Sequence, residues 1–144
     1  ILGKRFEAFS LLLQSKAPVI LLCPLAAFLQ KTIPKEKMAS LLSTWEKGMK
    51  LPFDKLKDKL TALGYRPASV VADKGEFAIR GGILDLFPVS SSDPYRIEFF
   101  DDAIESIRTF DPIGQKTIAK AEKVFLSPAQ ELPWMKEAIT LGSI

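Results

Sequence analysis

The feature that most restricts this chain is a series of short apolar runs divided by turn residues. GEFAIR, ILDLFPV, YRIEFF and AIESIRTF follow one another between residues 75 and 110, separated by Gly-Gly, Ser-Ser-Ser-Asp-Pro and Asp-Asp. Runs of that length, too closely spaced for crossover helices, form an antiparallel meander. Strand alternation then assigns the side chains to faces. Leu84 and Leu86 point one way, and Ile83, Asp85 and Phe87 the other; Phe77 and Ile79 share a face, opposite Glu76, Ala78 and Arg80. An unpaired aspartate does not face an apolar core, so the Asp85 face is the wetter one. That places Phe87 on or near the surface and lets Arg80 project beside Gly81 and Gly82, which suit a tight hairpin turn or a kink. Spacing leaves two readings open. Arg80 pairs with Glu76 or Asp85 while Phe87 plugs the end of the sheet, or an exposed aromatic beside an arginine forms a protein–protein hot spot.

The meander has neighbours of other kinds. FEAFSLLL has helical spacing, with Phe6, Phe9, Leu12 and Leu13 on one side. VILLC reads as a strand covered on both faces, with Cys23 as a small core residue. PLAAFLQK, with Pro24 in its first turn, reads as a helix. Helix, buried strand, helix is a piece of an α/β layer. MASLLSTWEKG is expected as a strand ending at Gly48. PFDKLKDKLTALG is expected as a helix with Phe53, Leu56, Leu60 and Leu63 on one face and Gly64 just past its end. YRPASVV is extended, KVFLS is a further short strand and LPWMKEAITLG a final helix. The expected class is therefore α+β: an antiparallel meander with a packed helix, preceded by a partial helix–strand–helix piece, with a joint near residues 38–50.

The composition excludes several chemistries. Among 144 residues there is no histidine and one cysteine, so neither a histidine-based acid/base or metal site nor an internal disulfide is available. A lone thiol fits a reducing cytoplasm. No GxxxxGK[ST] run is present to cradle phosphates, Gly75, Gly81 and Gly82 make no dinucleotide fingerprint, and no cofactor is expected. No apolar run approaches the roughly 18 residues of a membrane span. The net charge of +3 is uneven: residues 1–50 hold eight basic and three acidic side chains, residues 51–144 twelve and fourteen. The larger part is slightly acidic, poor ground for phosphate binding. Asp101-Asp102 reads as a turn, and Asp85 with Glu98 as facing carboxylates without a catalytic environment. The residues point to a binding module rather than an enzyme. The start at Ile1 rather than methionine reads as a piece of a longer protein.

The run GYR, GEFAIRGGILDLFP, YRIEFFDD, IESIRTFDP and Gln115 resembles the module shared by the excinuclease component UvrB and the transcription-repair coupling factors, most densely from Gly64 to Gln115. CPLAAFLQKTIPKEK and WEKGMKLPFDKLKDKLTALGYR resemble the coupling-factor branch. Gly114 departs from the family's usual threonine before the glutamine. The resemblance implies an α+β module that docks UvrA, the damage-recognition ATPase of the excinuclease, so that nucleotide excision repair reaches stalled RNA polymerase. It implies Arg66, Arg80 and Phe87 as docking residues, supported by Asp85, Gly81 and Gly82, with Asp85 orienting Arg80. A further arginine of the UvrB proteins falls here on Ala78 and is missing. It also implies that 1–45 belong to a partial, degenerate helicase-like subdomain, 46–130 to the docking module and 131–144 to a C-terminal helix or linker. The parent would be an ATP-driven DNA translocase that binds RNA polymerase and DNA, with a C-terminal domain that masks the docking face. The equivalent UvrA-binding domain of UvrB, or a module that contacts DNA directly, stands as the alternative.

Overall fold

The computed structural model describes residues 2–30, 32 and 34–130. The expected helix at LPWMKEAITLG lies outside them. Helix α1 spans Leu2–Gln14, α2 Leu25–Phe28 and α3 Lys35–Leu41. Phe6 and Met38 are buried against each other, with Phe9, Leu13, Leu41 and Leu42 packed around them.

Two expectations fail in this part. The VILLC segment forms no strand, and Ile20 is 90% and Leu22 91% exposed. A strand needs a neighbour to satisfy its backbone, and none pairs with this segment among the described residues. Cys23 is accordingly exposed rather than part of a core. MASLL belongs to α3, not to a strand, because Met38 docks onto Phe6; only Ser43–Glu46, here β1, is extended.

The rest is α+β. Pro52 leads into a turn of 3-10 helix at Phe53–Lys55, which continues as α4, Leu56–Ala62. Leu56 and Leu60 are buried, and Phe53 and Leu63 are partly buried beside them, as their spacing predicts. Gly64 ends the helix at φ +87°, a conformation that costs a Cβ-bearing residue about 1–2 kcal/mol. Six strands follow in sheet order: β2 Arg66–Pro67, β3 Glu76–Arg80, β4 Ile83–Leu86, β5 Tyr95–Phe100, β6 Ala103–Phe110 and β7 Thr117–Ala121. The meander from β3 to β7 is antiparallel throughout, and β2 joins β3 in parallel. β7 is not anticipated from sequence.

KVFLS forms β8, Lys123–Leu126, as expected, but its partner is β1: Ser43 faces Leu126 and Trp45 faces Val124. This ribbon joins the start and end of the module. The principal core lies between it, α4 and one sheet face, with Trp45, Leu60, Tyr65, Phe77, Leu84, Leu86 and Ile97 at its centre. Burial pushes the Tyr65 hydroxyl pKa far up, and the hydroxyl donates to the Ser127 carbonyl at 2.9 Å. Asp102 does more than turn the chain: its Oδ1 accepts from the Phe53 amide at 2.9 Å, and its carbonyl accepts from Leu51 at 2.7 Å.

Candidate docking face

The opposite face of the sheet is built row by row from the strand register. Arg66 lies beside Glu76, and the Phe87 amide donates to the Glu76 carbonyl at 2.9 Å. One row therefore runs from Arg66 through Glu76 to Phe87. The next runs from Ala78 through Asp85 and Arg96 to Arg108, and a third from Arg80 through Ile83 and Glu98 to Ser106. Arg66, Arg80 and Phe87 thus share one face, as alternation predicts for Arg80 and Phe87. Four residues along a strand separate the two arginine rows by about 13 Å.

Each residue has a distinct setting. Arg66 is 69% exposed, with its guanidinium 3.9 Å from Glu76. Glu76 Oε2 accepts from the amides of Ala72 and Asp73, both at 3.0 Å. These backbone bonds, helped by Arg66, hold its carboxyl below the usual range. Arg80 is 52% exposed and donates through Nη2 to Asp85 Oδ2 at 2.7 Å. Asp85 is wholly buried, yet not unpaired. Arg96 also reaches it, Nε to Oδ1 at 2.7 Å and Nη2 to Oδ2 at 2.8 Å, a two-pronged charge-assisted contact. That bond raises the Arg96 pKa above its ordinary value.

Phe87 corrects the sequence reading. It is 6% exposed and packs with Val71, Ala78 and Phe110 in a small second core on this face. Alternation placed it on the right side of the sheet but could not show that Val71 and the end of β6 close over it. The glycines also divide. Gly81, at φ +59°, makes the two-residue turn and has open space where a Cβ would sit. Gly82 is engaged: its carbonyl accepts from the Phe99 amide at 2.8 Å, and a Cβ would lie 3.0 Å from the Phe99 oxygen. Its backbone is packed against β5 rather than left open.

Asp85 and Glu98 share the face but have separate cationic partners. Glu98 accepts from Arg108 at 2.6 Å and from Ser106 at 3.1 Å. Neither is a paired carboxylate site, and among the described residues no cluster is arranged to hold a metal ion. Sequence reasoning gave Arg96, Phe110 and Gln115 no role, although all three fall in the runs that carry the resemblance. The available signal was the hairpin register, which sets Arg96 opposite Asp85.

The sequence pattern of the UvrB interaction domain matches residues 44–132. The chain belongs to the UvrB interaction domain family. The match begins one residue inside β1 and covers the six-stranded sheet and all of the β1–β8 ribbon but Ser43. Among curated proteins, the chain is 40% identical over 122 residues to the transcription-repair-coupling factor of Escherichia coli, covering 85% of this chain. It is 39% identical over 133 residues to that of Haemophilus influenzae, covering 92%, and 34% identical over 130 residues to that of Bacillus subtilis, covering 90%. It spans only 12%, 11% and 11% of the Haemophilus, Escherichia and Bacillus proteins. Among the described residues no helix is long and apolar enough to cross a membrane.

Proposed function

We propose that this chain is the docking module of a transcription-repair coupling factor and that its partner is UvrA, the damage-recognition ATPase of the excinuclease. The observation that carries the reading is the Arg80 guanidinium, half-exposed on a rigid sheet and fixed to a buried carboxylate, on the same face as the exposed Arg66. Membership of the UvrB interaction domain family supports it, as does similarity to coupling factors over most of the chain. Arg66 and Arg80 touch the partner. Phe87 supports the surface between them, contributing through its small exposed edge and the loop it anchors. The module itself is non-catalytic. It brings nucleotide excision repair to RNA polymerase stalled on DNA, through a cytoplasmic parent that supplies the ATP-driven translocation, and the parent's C-terminal domain covers the docking face until release.

The test is calorimetric titration of purified UvrA into the chain. Arg80→Ala weakens binding by about thirtyfold, the loss from removing a central contact of about 2 kcal/mol, with little effect on the unfolding midpoint. Arg80→Glu weakens it further, because a like charge adds repulsion. Unchanged affinity on alanine substitution refutes the assignment of this face. A steep fall of affinity with salt for duplex DNA, with no binding of UvrA, supports the DNA-contacting alternative instead.

A further inference from the structure

The direction of the Arg80 side chain is set by polar contacts deeper in the sheet. Asp85 Oδ2 is shared between Arg80 and Arg96, so any movement of the carboxylate moves Arg80. Arg96 is held from two further sides. Its guanidinium carbon lies 4.5 Å from the centre of the Phe110 ring, and Nη2 also donates to Gln115 Oε1 at 3.2 Å. Gln115 is itself fixed: its amide nitrogen donates to the carbonyls of Pro112 at 2.8 Å and Val71 at 3.3 Å. Its backbone sits at φ 57°, uncommon for a residue with a side chain. Gly114 beside it closes the same turn, its amide donating to Asp111 Oδ2 at 3.0 Å. A strained glutamine whose oxygen serves a nearly buried arginine calls for a reason.

We propose that Arg96 and Gln115 are positioning residues for docking. Gln115 fixes Arg96, Arg96 fixes the Asp85 carboxylate, and the carboxylate aims Arg80 outward. Two guanidiniums share one carboxylate, so the group keeps a net positive charge, and the partner group it receives is an acidic side chain. This rests on the docking reading above. A purely structural role for the network would stabilise the 111–116 turn without acting through Arg80.

A double-mutant cycle on the 144-residue chain separates these roles. Affinity for purified UvrA is measured for Arg96→Lys and Gln115→Asn, each alone and combined with Arg80→Ala. Lysine keeps the charge against Asp85 but lacks the two-pronged geometry. Asparagine tolerates the left-handed backbone but is too short to reach Arg96. Each change is expected to weaken binding about fivefold in the parent and to have no further effect once Arg80 is alanine, a coupling within the range seen for contacting residues. Equal weakening in both backgrounds, or no weakening in the parent when Arg80→Ala does weaken binding, overturns the proposal. If Arg80→Ala itself binds like the parent, the docking reading falls and takes this inference with it. Gln115→Asn keeps both Asp85 and Arg96 in the chain and removes only the contact that steadies them, so it carries the test should Arg96→Lys fail to fold, as judged by near-ultraviolet circular dichroism.

Discussion

Replacing Phe87 with alanine tests whether its burial or an exposed role dominates. The ring is 6% exposed and makes the small core with Val71, Ala78 and Phe110. Its backbone bonds to Gly75 and Glu76 survive the substitution, so the loss is that of the ring. Removing a buried phenylalanine costs about 3–5 kcal/mol. This cluster has only four buried members and lies apart from the main core, which places the expected loss near the lower bound, about 3 kcal/mol. For a unit of this size that lowers the unfolding midpoint by about 12 °C or more. Urea unfolding with a fitted slope, followed by thermal melts, measures it. Phe87→Leu, which keeps much of the volume, should lose about 1 kcal/mol. Affinity for UvrA is then compared at a temperature where every variant is folded. A stability loss under about 1 kcal/mol, with binding abolished, would refute the burial argument and restore Phe87 as an exposed anchor.

Two further outcomes follow from local geometry. Glu76 has its folded pKa depressed below the ordinary 4.5 by the Ala72 and Asp73 amides, so its contribution to stability is present above that value and is lost as pH falls through the lower folded value. Glu76→Gln should flatten the acid limb of the stability profile below about pH 4.5, and parallel limbs for the two proteins would contradict this. Gly64→Ala should cost about 1–2 kcal/mol from its backbone at φ +87°, plus a contact with Gln130 Cγ only 2.5 Å from the new Cβ. Gly48→Ala, at φ +86° in open space, supplies the conformational part alone, and a loss under about 0.5 kcal/mol at Gly64 would refute the argument.

The parts of this fold legible in the sequence are those set by local period and turn chemistry. Leu84, Leu86, Phe77 and Ile79 alternate onto the main core as their spacing requires, and Leu56 and Leu60 follow helical spacing. What was not legible depends on distant partners. Asp85 could be buried only because Arg96, eleven residues later, pairs with it across the β4–β5 hairpin. Phe87 is covered by Val71 and Phe110, one from the loop before β3 and one from the end of β6. VILLC has the composition of an interior strand, but composition does not supply the neighbouring strand that would make it one. MASLL has apolar residues compatible with either period, and the contact of Met38 with Phe6 decides for helix. β7, TIAKA, pairs with β6 without a buried row of its own, so no hydrophobic pattern announced it.

The β1–β8 ribbon also bears on how the module withstands tension. Ser43, where β1 begins, faces Leu126, where β8 ends, so the polypeptide enters and leaves side by side. A pull on the two flanks first loads the bonds of Ser127 to Tyr65 and of Ala129 to Leu63, and then the Ser43–Leu126 end of the ribbon. The rungs then open singly, toward Glu46 and Lys123, like a zipper, rather than sharing the load in shear. With those bonds broken, further tension would peel this seam before it opened the strand pairs of the other sheet, which carry the candidate docking rows. The adjacent flanks likewise let the unit sit within a larger chain as a side branch, adding little to the distance between its two attachment points.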